Sequence, residues 1–176
     1  MLLTRYHPPH CSAVQAPEPS DCLLLRFDQR SRSRFDALTT TRQTSVSVLL
    51  PRGLVIRGGA LLSNETGDCI EVIAADEPVY RVTASDSHAL LRAAYHLGNR
   101  HVRLEVQTTF LQLEPDPVLL EMLRQLGGVK VQALDAVFEP EVGAYGGGHH
   151  HGHDATFEED YAVAQAVYQH HHGPNS

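Results

Sequence analysis

The stretch VYRVTASDSHALLRAAYHLGNRHVRLEVQTTFLQLEPDPVLLEMLRQLGGVKVQALDAVF, residues 79–138, alternates between two hydrophobic periods, and that alternation decides the fold. Val79–Thr83 reads as a strand. Ser85 or Asp86 then caps a helix running to about Leu97, with Leu90, Leu91, Ala94 and Leu97 at helical spacing and Gly98 as the stop. His101–Gln107 returns to a period of two, which puts Val102, Leu104 and Val106 on one face. Thr109–Leu113 is a second short strand. Asp116 caps a second helix with Pro117 in its first turn, followed by Leu119, Leu120, Leu123 and Leu126 and closed by Gly127. Lys130–Phe138 is the last strand. The order β-α-β-β-α-β is the ferredoxin-like arrangement, an antiparallel sheet with two helices on one face.

Upstream, the chain reads as β. Cys22–Phe27, Ser45–Leu50 and Cys69–Ala74 are rich in Leu, Val and Ile with partial alternation. Turn signals at Pro51-Arg52-Gly53, Gly58-Gly59 and Asn64-Glu65-Thr66-Gly67 separate them. This spacing predicts a small β-sandwich or open barrel, ending where Asp76-Glu77-Pro78 breaks the pattern. The expected class is therefore α+β, with an N-terminal β domain over residues 1–77 and a ferredoxin-like domain over 78–145 joined by a short link near 75–79. A flexible histidine-rich tail over 146–176 follows. The glycine-rich stretch Gly143–Gly148 precedes the histidines, and Thr156-Phe157-Glu158-Glu159 fits a capping box ahead of a short amphipathic segment.

Composition narrows the function. No stretch reaches the roughly 18–20 apolar residues of a membrane span, and Met1–His10 lacks a secretory signal pattern. Cys11, Cys22 and Cys69 are widely spaced and form neither a disulfide framework nor a Cys-x-x-Cys knuckle. A cytoplasmic protein is expected. The net charge of −7 is unevenly spread, about +4 over residues 1–60 and −11 over the rest, without interleaved aromatics, so nucleic acid is not the expected partner. Phosphate-binding loops, His-Glu-x-x-His pairs and nucleophile elbows are all missing, so the expected protein is not an enzyme.

Histidine is the positive signal. Of twelve, seven lie in the last 28 residues: His149, His150, His151 and His153, then His170, His171 and His172. Neutral imidazoles on one loop suit Ni, Zn, Cu or Co and chelate without a preformed cavity. His101 follows Gly98-Asn99-Arg100 at a helix-to-strand junction. A single imidazole does not hold a metal, since stable sites take about four ligands. Across a two-fold axis, however, His101 would meet its own copy and double the count. His96, five residues earlier, is off the i, i+4 spacing and is expected as a peripheral ligand. Arg30, Arg32 and Arg34 fall on one face if extended, either as a solvated edge or as a docking patch for an acidic protein.

Several segments together carry a resemblance. They are Arg30-Ser-Arg-Ser-Arg34, Leu50-Pro-Arg-Gly53, Tyr95-His-Leu-Gly-Asn-Arg-His101, Val118-Leu-Leu-Glu-Met-Leu123 and Phe138-Glu-Pro-Glu-Val-Gly-Ala-Tyr145, the last running into the histidine run. From about Arg30 to His153 the chain resembles the UreE urease accessory proteins. The resemblance implies a peptide-binding-like β domain, a ferredoxin-like metal-binding domain, and a homodimer holding Ni(II) between two copies of His101. It also implies the accessory GTPase UreG as partner and urease as the destination. Some members carry further histidines where this chain reads Phe110-Leu-Gln-Leu-Glu-Pro-Asp-Pro117, which shifts binding here toward the tail. The expected function is thus a nickel metallochaperone, with a histidine-rich nickel store or buffer as the alternative and pairing of dimers left open.

Overall fold

A computed structural model of the chain describes residues 1–9 and 18–142. The flexibility expected of His149–His153 and the helix expected after Thr156 concern residues outside these.

The N-terminal half is built from short strands: β1 (Leu2–Leu3), β2 (Arg5–His7), β3 (Asp21–Leu25), β4 (Arg34–Leu38), β5 (Ser45–Leu49), β6 (Leu61–Ser63) and β7 (Cys69–Ala74). One helical turn, α1 (Phe27–Arg30), follows β3. Among the described residues these strands form two sheets, ordered β1-β5-β4 and β2-β6-β7-β3. The inward faces of both meet in one apolar cluster, with Leu3, Val46 and Val48 from one sheet and Leu23, Leu25, Leu62, Ile70 and Val72 from the other. This is the expected small sandwich. Asp21 ties the β4–β5 turn to β3, because its carboxylate accepts from the N–H groups of Thr41 and Arg42 at 3.0 and 2.8 Å.

The C-terminal half consists of β8 (Asp76–Ala84), α2 (Ser87–Gly98), β9 (Leu104–Val106), β10 (Phe110–Leu113), α3 (Pro117–Leu126) and β11 (Val129–Val137). Its sheet order is β11-β8-β10-β9 and every pairing is antiparallel, the ferredoxin-like topology that residues 79–138 predict. Val82, Leu111 and Leu113 of the sheet pack on Ala93 and Leu97 of α2 and Leu123 of α3. Both helices start at the expected caps: Asp86 accepts from the Ala89 N–H at 2.9 Å, and Asp116 from those of Val118 and Leu119 at 2.7 and 3.0 Å.

Three details differ from the expectation. The first strand starts at Asp76 rather than Val79 and runs through Pro78. Proline is tolerated because β8 meets β10 only from Tyr80 onward, so Pro78 faces no partner on that side. Val102 and Leu104 pack into the core as the alternation predicts, but only residues 104–106 are strand, Glu105 is buried as well, and Val106 is 45% exposed.

The third difference is the largest. The halves were expected to touch only through a short link, yet they share a seam. Phe27 and Phe138 meet edge-to-face at 5.5 Å and pack with Val79. Arg30, fully buried, donates from Nε to Leu25 O (3.2 Å), from Nη1 to Ile56 O (3.1 Å) and Glu139 Oε1 (2.7 Å), and from Nη2 to Phe138 O (2.7 Å). Glu139 Oε2 accepts from Arg57 Nη1 at 2.9 Å, and Oε1 also accepts from the Gly58 N–H at 2.9 Å. A Cβ at position 58 would lie 3.1 Å from the Ala74 Cβ and 3.2 Å from that oxygen, so a larger residue would crowd both.

Candidate metal site

Helix α2 places the metal candidates among the described residues. Ala89, Ala93 and Leu97 bury one stripe against the sheet, which turns the opposite stripe to solvent. Leu91 and Tyr95, four residues apart on that outer stripe, are 67% and 65% exposed. Two large apolar side chains stacked one turn apart form a patch that water covers poorly.

The helix does not stop on a left-handed glycine. Asn99 N–H still reaches back four residues to Tyr95 O at 3.0 Å. Arg100 and His101 reach back only three, to Leu97 O (3.0 Å) and Gly98 O (2.9 Å), so the last turn tightens. The left-handed residue is His101 itself, with φ 54°. For a residue with a Cβ this conformation is uncommon, though histidine is among those that adopt it more readily. The neighbouring residue keeps the turn in place, since Val102 packs into the C-terminal core. His101 is exposed at the corner that results.

His96 is half-buried on α2, its ring edge-on to Tyr95 at 5.4 Å, and its carbonyl accepts from Arg100 Nη1 at 3.0 Å. Among the described residues no three His, Cys, Asp or Glu side chains converge on a metal-sized point. Among the described residues His101 is thus an open imidazole outside any three-ligand cluster. His149, His150, His151, His153, His170, His171 and His172 lie outside the described residues. Cys22 and Cys69 are free, and burial pushes the Cys69 thiol up from its ordinary pKa.

The arginine triplet is corrected. Residues 27–30 are helical, not extended, so Arg30 points inward and its guanidinium is used up in the seam. Arg32 and Arg34 are exposed, Arg32 paired with Asp28 one turn back. The candidate docking patch is reduced to those two.

The sequence reading missed a polar network beside the site. Gln112, buried within β10, accepts from Arg81 Nε and Nη2 at 2.9 and 2.7 Å. Its amide donates to Glu105 Oε2 (3.0 Å) and Val137 O (3.0 Å). Glu105 Oε2 also accepts from the Glu139 N–H at 2.8 Å. A glutamine inside the apolar run Phe-Leu-Gln-Leu was the available signal: alternation puts Gln112 on the sheet face opposite Leu111 and Leu113, and a polar side chain buried there needs partners.

Comparison with known proteins covers almost the whole chain. Residues 3–75 match the UreE urease accessory protein N-terminal domain, and residues 77–175 its C-terminal domain. The chain is 56% identical over 165 residues to the urease accessory protein UreE of Ralstonia nicotianae, covering 94% of this chain and 77% of that protein. It is 54% identical over 163 residues to the protein of the same name from Cupriavidus pinatubonensis, covering 93% and 73%. The corresponding protein of Cupriavidus necator is 52% identical over 164 residues, covering 93% and 84%.

Proposed function

The chain belongs to the UreE family of urease accessory proteins, which gives it a role in urease maturation, and from that premise we propose that it is a nickel metallochaperone. It binds Ni(II) as cargo and performs no catalysis. The observation that carries the reading is His101, an open imidazole on a tightened helix end in a chain with seven further histidines near its C-terminus.

One imidazole per chain is too few for a site, and a second copy supplies the next. The apolar pair Leu91 and Tyr95 lies on the helix that ends at His101, and an exposed patch of this kind favours self-association. Two His101 rings then share one ion as the tightest site of a homodimer. His149, His150, His151 and His153 capture metal first, with His170, His171 and His172 as a weaker copy and His96 as a peripheral ligand. Imidazole ligation without thiolate exchanges quickly and depends on pH, because each ring must be neutral to bind. Copper binds such donors more tightly than nickel, and zinc and cobalt also bind, so partner and geometry select the cargo. The partners in this reading are the accessory GTPase UreG and the urease apoprotein, met in the cytoplasm. Arg32 and Arg34 are the candidate contacts for an acidic partner surface. No helix among the described residues is long and apolar enough to cross a membrane.

The rival reading is a nickel store, for which the tail histidines are the whole device. Deleting residues 146–176 separates the two in cells that depend on this protein for urease activity. A carrier keeps reduced activation through His101, whereas a store loses all benefit at limiting nickel.

A further inference from the structure

We propose that Glu139 is a positioning residue for the His101 turn, acting through strand β9 and held in place by the N-terminal half. The inference rests on the metallochaperone reading for its functional meaning, though its structural part stands apart from nickel.

The need for such a device is local. His101 sits three residues before β9, which is three residues long and forms the edge of its sheet, paired on one side only. A ladder that short holds a strand weakly. The turn before it also carries a left-handed residue with a side chain, a conformation that persists only where the surroundings enforce it.

The enforcement comes from the segment after β11. Leu104 O accepts from the Glu141 N–H at 2.9 Å, and Glu105 Oε2 from the Glu139 N–H at 2.8 Å, so two consecutive β9 residues are gripped, one through its backbone and one through its side chain. Arg103, two residues from His101, lies 5.5 Å over the ring of Phe27 from the N-terminal half. The grip would slide if residues 138–141 were free. They are not, because the Glu139 carboxylate takes Arg30, Arg57 and the Gly58 N–H while Arg30 also holds Phe138 O. One residue thus joins three things: its N–H fixes β9, its carboxylate fixes the N-terminal half, and its neighbours close the seam. Contacts that orient a metal ligand from outside the coordination shell are worth roughly 10- to 100-fold in affinity.

The test compares full-length chains of four kinds: wild type, Glu139→Gln, Arg57→Met and Val46→Ala. Glu139→Gln keeps the shape but loses the charge and one acceptor. Arg57→Met is milder, removing one half-exposed partner and leaving the Arg30 pair, and it serves if Glu139→Gln folds poorly. Val46→Ala lowers stability from inside the N-terminal core, away from the seam. The first readout is the imidazole ¹⁵N resonance of His101 in the metal-free protein, which should shift in both seam variants and stay put in Val46→Ala. The second is affinity for the first equivalent of nickel, which should fall about tenfold in Glu139→Gln, less in Arg57→Met, and less than twofold in Val46→Ala. Unmoved His101 resonances in both seam variants, or an equal loss in Val46→Ala, overturn the inference. Nickel affinity unchanged by His101→Ala in the same series overturns instead the reading on which it rests, whatever the resonances do.

Discussion

Replacing Arg30 by methionine should destabilise the folded chain by about 3 kcal/mol. The figure is built from the seam. Arg30 is fully buried and donates four hydrogen bonds, three to the carbonyls of Leu25, Ile56 and Phe138 and one to Glu139. Methionine fills most of the volume but leaves the Ile56 and Phe138 carbonyls without their donor, while Leu25 O keeps the Ala75 N–H at 2.9 Å, and each unsatisfied buried group costs about 1–3 kcal/mol. Against that, a buried charge disappears with its desolvation cost, and Glu139, 25% exposed, retains Arg57 and the Gly58 N–H. The balance falls at the low end of the roughly 3–5 kcal/mol seen when one member of a buried pair is removed. For a domain of this size that is about 10 °C in Tm. Lysine should recover little, because one ammonium does not span four acceptors placed around a planar fork. The assay is urea and thermal unfolding followed by far-UV circular dichroism. A variant within about 0.5 kcal/mol of wild type, the range of an ordinary surface change, would show that Arg30 is a solvated edge residue after all.

Other outcomes follow from the same contacts. Asp116→Ala removes the acceptor of the Val118 and Leu119 N–H groups and should cost about 1 kcal/mol, with Asp116→Asn restoring most of it; urea midpoints decide. Leu91→Glu with Tyr95→Glu should leave the circular dichroism spectrum unchanged but halve the mass seen by light scattering, and an unchanged mass would remove that stripe from the dimer interface. Three carboxyls should shape the acid limb of stability. Partial burial raises Asp21, but the Thr39 hydroxyl and the N–H groups of Arg42, Cys22 and Thr41 outweigh it and hold the group below its ordinary value. Bonds from the Asn64 and Thr66 side chains lower Asp68, and the Ala89 N–H lowers Asp86. A lowered folded pKa contributes stability that is complete above the unfolded value and is lost as pH falls through the folded one. Urea midpoints should therefore hold from about pH 7 to 5 and drop below about pH 4, less steeply in Asp21→Asn; an equal slope would rule Asp21 out. Bound nickel should be released on acidification, because each imidazole must be neutral to bind, and metal retained in acid would contradict imidazole ligation.

The ferredoxin-like half was legible because its signals are local. Asp86, Asp116, Pro117 and the leucine spacing of α2 and α3 each act within one or two turns of chain, and each element formed where those signals placed it. The sandwich was legible for the same reason, from short apolar strands between turn residues. What failed depended on contacts far apart in sequence. Arg30 reads as one of three surface arginines until Phe138 and Glu139, more than a hundred residues later, close over it. Glu105 and Val106 exchange their expected environments because the chain after β11 covers one side of an edge strand. At the site, a histidine at a helix end could be picked out, but not that it would itself take the left-handed position one expects glycine to fill. The pairing proposed for it across two chains would be a property of symmetry, which a single sequence implies only by counting ligands.

The most direct measurement is a calorimetric nickel titration of wild type against His101→Ala at matched protein concentration and neutral pH. His101→Ala removes an exposed side chain and should leave fold and mass unchanged. The wild-type isotherm should show one tight ion per two chains followed by weaker ions on the remaining histidines. His101→Ala should lose the tight step and keep the weaker ones. If the first ion binds the variant as tightly as wild type, the shared His101 site does not exist and the histidine-rich C-terminal segment is the binder.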